Sequence, residues 1–140
     1  MLQLDTSNEF GARVERRLNE EQIIWLTTVG PSGMPASVPV WFHWDGATIL
    51  IYSRSQAPKV RRVKRHPKVQ LNFDGDGRGG NIVRVEGEAV IDRESPPATG
   101  VAAFIEKYQA GIQRIGMTPE SFAATYSVPL RVTPSRVRGH

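Results

Sequence analysis

The chain has 140 residues and a mass of 15.6 kDa, which fits one domain with its own core. It carries 18 Lys and Arg against 14 Asp and Glu, and 39% of its residues are hydrophobic, as in ordinary soluble globular proteins. The sequence contains no cysteine, which excludes disulfides, thiolate metal sites and cysteine nucleophiles. So short a chain favours a binding pocket that two subunits share.

The N-terminal segment, MLQLDTSNEFGARVERRLNEEQ, mixes acidic and basic residues and lacks a long apolar stretch. We therefore expect neither a signal peptide nor a membrane span, and we expect a cytoplasmic protein. A helix is predicted to run to about Glu20, with apolar residues at every fourth position along one face. One of three polar residues is expected to cap it: Asp5, Thr6 or Ser7.

The next segments predict an antiparallel meander. Residues 23–29, IIWLTTV, are β-branched and aromatic, and the turn GPSGMP separates them from a second predicted strand, ASVPVWFHW, at 36–44. The dipeptide Asp45-Gly46 is a turn signal before a third predicted strand at 47–53.

A short basic helix is predicted at 57–66, with Pro58 in its first turn and Pro67 after its end. The remaining predicted elements are strands at 68–73 and 82–92, helices at 95–112 and 118–126, and a last strand at 127–139. The connections between strands are too short for βαβ crossovers. We therefore predict a mainly β, α+β fold in one domain spanning 1–140: an antiparallel six-stranded barrel with flanking helices.

Basic residues are concentrated in the helix at 57–66 and just after it. Six of the 18 lie between residues 59 and 68: Lys59, Arg61, Arg62, Lys64, Arg65 and Lys68. The N-terminal amides of the helix are expected to point at the loop after Tyr52, where Ser53 and Ser55 add hydroxyl donors and Lys59 lies in the first turn. A phosphate group fits such a site. Arg62 should share the face of Lys59, and the other cations should face solvent.

Other functions find weaker support in the sequence. The three histidines belong to no recognisable catalytic motif, and no pair of His and carboxylate residues has the spacing of metal ligands. A nucleic-acid module is also disfavoured. The aromatic residues at 41–44 lie on a strand whose side chains point alternately to its two faces, so at least half of them should face the core, and the basic run has no interleaved aromatic residues. We expect no metal, no nucleic acid and no membrane partner.

The stretch from WLTTVGPSGMPASVPVWFHWDG to VEGEAVID resembles the flavin/deazaflavin oxidoreductase superfamily of split β-barrels, the relatives of pyridoxamine 5′-phosphate oxidase. The resemblance rests on order and spacing: a strand, a Gly and Pro turn, PVWF, a hydroxyl-bearing strand end, a lysine, a basic helix, His-Pro and VEGEA. It covers nearly the whole chain. Within the superfamily, the chain most resembles the actinobacterial branch B, which uses the deazaflavin coenzyme F420.

This resemblance implies a homodimer with two cofactor sites at the subunit interface. The cofactor phosphate would meet residues of the basic turn and helix: Ser53, Arg54, Ser55, Lys59 and Arg62. The cofactor ring would lie along the strand backbone of four residues: Val38, Pro39, Val40 and Trp41. Residues near Arg78, Gly80 and Asn81 would approach from the second subunit. Many relatives have Asn-Leu where this chain has Arg62-Val63, and the extra cation suits a more anionic cofactor tail.

The implied activity is hydride transfer from reduced F420 to a small organic acceptor, with the cofactor itself delivering the hydride. No catalytic acid is required; if a proton donor takes part, Tyr126 and His43 are the candidates, with bulk water as an equal rival. Two alternatives stay open. One is an FMN-dependent oxidase or flavin reductase like pyridoxamine-phosphate oxidase, and the other is a non-catalytic F420 carrier.

Overall fold

A computed structural model describes residues 2–140. Within this range the chain forms seven strands, four α-helices and a 3-10 turn at Ala98–Gly100. The strands are β1 Ile24–Val29, β2 Pro35–Val40, β3 His43–Trp44, β4 Ile49–Ser53, β5 Lys68–Asn72, β6 Val83–Ile91 and β7 Val128–Gly139. The helices are α1 Glu9–Glu20, α2 Pro58–Arg65, α3 Ala102–Arg114 and α4 Pro119–Thr125.

The strands form one antiparallel sheet in the order β2-β1-β5-β6-β7-β4-β3. The edge strands β2 and β3 are at opposite ends of this order, yet only Trp41 and Phe42 separate them along the chain. The sheet must therefore curl until its two edges approach each other, which gives an α+β split half-barrel as predicted.

The predicted count of six strands is wrong. The segment 36–44 is predicted to be one strand, but it divides at Trp41 into β2, which pairs with β1, and β3, which pairs with β4. The chain leaves one edge of the sheet and joins the other within these few residues, so a continuous strand is geometrically impossible here.

Two apolar clusters fill the molecule. The larger one occupies the barrel interior, and the smaller one lies between β4 and the helices α3 and α4. Strand β4 is buried at all five positions because its two faces serve different clusters. Ile49 and Ile51 belong to the barrel interior, whereas Leu50 and Tyr52 pack against the helices. This strand therefore joins the barrel to the helical layer.

The first helix begins later than the sequence indicates. Asn8, and not Asp5, Thr6 or Ser7, caps α1, and its Oδ1 accepts a hydrogen bond from the amide of Gly11 at 2.8 Å. Asp5 instead accepts a hydrogen bond from the amide of Ser7 at 3.0 Å, in a turn before the helix. The helices α2 and α4 agree with prediction within one residue at each end, and Thr118 caps α4 in a capping box with Ser121. The helix predicted at 95–112 is wrong at its start, because α3 begins only at Ala102, after the 3-10 turn at Ala98–Gly100.

Arg131 on β7 ties together three segments at one end of the barrel. Its Nε donates to Asp92 Oδ2 at 2.8 Å and its Nη2 to Ser95 Oγ at 2.7 Å, both in the segment after β6. Its Nη1 donates to Thr48 Oγ1 at 2.7 Å and to Asp45 Oδ2 at 3.3 Å, in the β3–β4 turn. Arg131 and Ser95 lower the pKa of Asp92, and for Asp45 the hydrogen bonds from Thr48 and Ala47 outweigh partial burial, so that its pKa is lowered too.

Replacing Asp92 with asparagine should make the stability of the protein less sensitive to acid. The hydrogen bonds from Arg131 and Ser95 hold the pKa of Asp92 below its ordinary value of 3.8. Its carboxylate therefore stabilises the fold above that pH, and the contribution is lost as the pH falls through the lower folded value. Denaturant unfolding should show wild type more stable than Asp92→Asn at neutral pH, and the difference should shrink steadily as the pH is lowered below 3.8. A difference that persists undiminished in acid would contradict this role.

Candidate functional site

A cleft of about 270 Å³ opens where β2 ends, beside β4 and the first turn of α2. The ends of α3 and α4 form its other wall. Its lining residues come from all these elements: Pro39, Val40, Trp41, Tyr52, Lys59, Ile115, Phe122 and Tyr126. Most of this lining is apolar or aromatic, and Lys59 is its one full charge.

The aromatic wall of the cleft is a stack of four rings. The Trp41 indole lies over Tyr108 at a centroid distance of 4.6 Å and over Phe122 at 5.5 Å, and Phe122 stacks on Tyr126 at 4.5 Å. Gly111 of α3 allows the helix to approach, because a Cβ atom there would lie only 3.0 Å from the indole. Such a closely packed aromatic surface suits a planar heterocycle, which gains apolar burial there.

Tyr108 fixes the backbone beneath this stack. Its hydroxyl oxygen accepts a hydrogen bond from the amide of Phe42 at 2.9 Å, and its hydroxyl proton can be donated to the carbonyl of Gln22 at 2.8 Å. Burial raises the pKa of Tyr108, so the hydroxyl stays protonated and can serve both bonds. The crossing between β2 and β3 is thereby attached to α3, and the cleft wall is held rigidly in place.

Lys59 supplies the positive charge of the cleft. Its side chain is partly buried, and burial lowers its pKa from 10.5. Across residues 2–140 the ion pairs involve only Arg17 and Arg131 as cations, so Lys59 has no carboxylate partner. No side chain caps the N-terminus of α2, and the amides of that first turn are not all satisfied within the helix. A partly desolvated cation beside a helix N-terminus favours a bound anion.

The serine and arginine residues predicted to bind the phosphate differ in how accessible they are to a ligand. Ser53 is fully buried and its hydroxyl donates to the Arg54 carbonyl at 3.1 Å, so in this conformation it offers no proton to a ligand. Ser55 is exposed in the turn before α2. The Arg54 guanidinium lies 5.0 Å from the centre of the Tyr126 ring, at the rim of the cleft. Arg62 is partly exposed on α2.

The strand residues predicted for the ring are arranged along the edge of the sheet. Pro39, Val40 and Trp41 line the cleft, and Val38 is 36% exposed beside them. Strand β2 has a hydrogen-bonded neighbour on one side only, so part of its backbone is free to bond a ligand.

The residues predicted to come from a second subunit lie in the loop between β5 and β6. The Asp76 carboxylate accepts hydrogen bonds from the amides of Arg78 at 2.7 Å and Gly80 at 2.9 Å. Asn81 Oδ1 accepts a hydrogen bond from Arg13 of α1 at 3.0 Å. None of the three lines the cleft of its own chain. Their approach to a neighbouring subunit's cleft stays a prediction.

The two candidate proton donors are separated by the fold. Tyr126 lines the cleft, whereas His43 on β3 lines a different depression with Lys107. Burial lowers the pKa of His43, which favours its neutral form. Only Tyr126 is therefore in a position to contact a molecule bound in the cleft.

Sequence reasoning did not assign Tyr52, Ile115 and Phe122 to the site. They reach the cleft from β4, from the end of α3 and from α4, two helices that lie between β6 and β7 along the chain. Phe122 lies in the helix predicted at 118–126, but the sequence does not identify the surface against which that helix packs.

The described residues contain neither a cluster of metal-binding side chains nor a membrane-spanning helix. Between residues 2 and 140, no three His, Asp or Glu side chains are grouped so that they could hold a metal ion. No helix in the same range has the length and apolar composition needed to cross a membrane.

The fold of the chain is similar to those of several solved structures. A structure described as a pyridoxamine 5′-phosphate oxidase from Listeria innocua is 22% identical, with a TM-score of 0.68, covering 93% of this chain and 97% of the other. An F420 reductase is 22% identical with a TM-score of 0.69, covering 89% and 94%. The heme storage protein HutZ from Vibrio cholerae is 13% identical with a TM-score of 0.63, covering 99% and 95%.

These likenesses establish the split-barrel fold and leave the cofactor open. No curated protein matches the sequence. The family model described as pyridoxamine 5′-phosphate oxidase matches residues 10–140, which is nearly the whole chain. The chain therefore belongs to the pyridoxamine 5′-phosphate oxidase family.

Proposed function

We propose that this protein is an oxidoreductase that uses F420 to reduce a small organic acceptor in the cleft formed by Trp41, Lys59 and Tyr126. The observation that carries the proposal is the position of Lys59, a half-buried cation without a carboxylate partner, next to a stacked aromatic wall. A planar heterocycle with a phosphate tail complements both features. Family membership and the structural likeness to an F420 reductase support it, and membership of the actinobacterial branch B is part of the proposal.

The residues present fit such a cofactor. Lys59 and Ser55 would hold the phosphate, with Arg54 and Arg62 adding charge at the rim, and the edge of β2 from Pro39 to Trp41 would bear the ring. When bound, the cofactor supplies hydride chemistry. The protein's own contribution is to bind and orient both reactants and to exclude water with its apolar lining.

Reduction of the acceptor by a hydride also needs one proton, which a side chain at the cleft or water would supply. The Tyr126 hydroxyl lies at the cleft, with Arg54 Nη2 at 3.5 Å and its guanidinium over the ring. It can donate a proton to the acceptor and regain one from solvent, since Tyr126 is partly exposed. Bulk water entering from the rim is the rival source.

A second subunit would complete the site. The cleft of about 270 Å³ is at the small end for a pocket that must enclose a cofactor and an acceptor together. A homodimer would deepen it with the loop carrying Arg78, Gly80 and Asn81, as the family resemblance implies. The lack of cysteine suits a dimer that works in a reducing cytoplasm.

FMN is the alternative cofactor, because it shares the ring arrangement and the ribityl phosphate and because the matched family model is that of a pyridoxamine-phosphate oxidase. With FMN, the protein would act as an oxidase or a flavin reductase. A carrier that binds F420 without turnover would have the same cleft. The likeness to a heme storage protein adds weight to the storage alternative.

Cofactor titration separates these functions. We expect purified protein to quench the fluorescence of F420 with micromolar or tighter affinity and to bind FMN much more weakly; preference for FMN would reverse the choice of cofactor. Reduced F420 should then be monitored spectrally with quinones, enones and tetrapyrroles as acceptors. Oxidation by one of them supports the reductase, and no oxidation by any acceptor supports the carrier.

A further inference from the structure

A second depression, of about 290 Å³, lies outside the cofactor cleft, between α1, the edge strand β3 and α3. The residues that line it have no part in the proposed activity: Leu18, Asn19, His43, Trp44, Ala103, Glu106 and Lys107. The amine of Lys107 is the only primary amine among them. It belongs to one of just four lysines in the sequence.

The Lys107 side chain is held against the backbone and ring of Phe42. Its Nζ lies 3.9 Å from the centre of the Phe42 ring and 3.4 Å from the Phe42 carbonyl oxygen. No carboxylate within residues 2–140 forms an ion pair with it. The amine is therefore positioned by a ring face and one carbonyl, on a residue that lines an open space large enough for a small molecule.

The charges near Lys107 do not fully offset the effect of burial on its pKa. Burial lowers its pKa to about 8, and the more distant charge of Glu21 only partly opposes this. His43 on β3 faces the same depression, and burial lowers its pKa as well. Glu106 is exposed at the rim on α3. At pH 7 about a tenth of Lys107 is thus an uncharged, nucleophilic amine, against well under a hundredth for a lysine at the ordinary pKa of 10.5.

We propose that Lys107 is a covalent modification site, where its amine forms an imine with a small, uncharged aldehyde that enters this depression. In this reaction Nζ attacks the carbonyl carbon and a carbon–nitrogen double bond forms. The carbonyl oxygen leaves as water with the two hydrogens of the amine, and nothing is oxidised or reduced.

The contacts of Nζ favour an imine over other adducts. A protonated imine keeps its positive charge on the same nitrogen, so the ring face and the carbonyl of Phe42 stabilise it as they stabilise the ammonium. An amide or a carbamate would lose that charge, and a carbamate would add a negative one near Glu106. The carboxylates of Glu106 and Glu21 also disfavour an anionic electrophile such as an acyl phosphate.

Trapping with a reductant tests the proposal. The full-length protein is treated with propanal and cyanoborohydride at pH 8, and peptide mass spectrometry measures alkylation of each lysine over time. Since an amine with its pKa near 8 is about half uncharged at this pH, Lys107 should react at least about tenfold faster than the exposed Lys64 and Lys68. The rate at Lys107 should stop rising above about pH 9.

Two controls complete the test. Glyoxylate, an anionic aldehyde, should favour Lys107 over Lys64 and Lys68 much less than propanal does, and an equal or greater preference would overturn the assignment to uncharged aldehydes. Lys107→Arg keeps a cation over the Phe42 ring, so it should fold normally and lose the fast-reacting site. If Lys107 reacts with propanal no faster than Lys64 and Lys68, or if its rate still rises above pH 10, the proposal is overturned.

Discussion

We expect replacing Lys59 with alanine to weaken the binding of the proposed cofactor F420 roughly 10- to 100-fold, because a hydrogen bond between a charged donor and a phosphate contributes about 1.5–3 kcal/mol. The expected loss is large for a single surface lysine, since the cation is already partly desolvated and has no other anionic partner among residues 2–140. Fluorescence titration of the wild-type and variant proteins measures it directly.

Lys64→Ala is the matched control. It removes an equal charge from the same helix, but Lys64 is exposed and does not line the cleft. Its contribution is long-range and screened by salt, so F420 affinity should change by no more than about twofold. Equal losses in the two variants would mean that only the net charge of α2 matters, and an unchanged affinity for Lys59→Ala would remove this residue from the site.

Truncating Phe104 to alanine lowers the free energy of unfolding by about 3–5 kcal/mol, the range typical of a large aromatic residue removed from a core. Phe104 is 0% exposed and contacts the rings of Tyr52, Tyr108 and Phe122. Because a domain of this size has about 5–15 kcal/mol of stability in total, the loss is a substantial fraction of it. Chemical denaturation monitored by circular dichroism gives the difference.

The same substitution should also loosen the cleft, since Tyr52 and Phe122 line it and Tyr108 supports Trp41. F420 affinity should therefore fall although Phe104 itself contacts no ligand. Val90→Thr serves as the control, because Val90 is 55% exposed on β6 and threonine keeps the β-branched shape. It should change stability by less than about 1 kcal/mol. A small effect of Phe104→Ala on stability would show that the helical layer does not depend on this ring.

Local signals in the sequence predicted most elements of the fold. Alternating apolar residues and Gly or Pro turns identify the hairpins, because strand pairing between chain neighbours needs only a compatible turn. The division at Trp41 was missed, since PVWFHW is largely apolar and aromatic and gives no sign that the chain changes sheet edges there. That information resides in long-range pairing, such as β4 with β7, which periodicity does not encode.

The candidate site was predictable to a similar extent. Lys59 and the β2 residues from Pro39 to Trp41 were identified and lie together at the cleft. The hydroxyl of Ser53 was expected to be free, but the last residue of a strand covered on both faces is buried. Spacing along the chain indicates that a serine is near a turn, and only the packing around the turn decides whether its hydroxyl is accessible.

The position of β4 has a consequence for synthesis of the protein on the ribosome. This strand, ILIYS, is mostly apolar and is buried at every position, and its long partner is β7 at the C-terminal end of the chain. At translation rates of about 5–20 residues per second, roughly 75 further residues take about 4–15 seconds to emerge, and until then only the two-residue β3 can pair with it. The nascent chain thus exposes an unpaired, mostly apolar strand for several seconds. Chaperone binding or aggregation during translation should therefore begin at this strand.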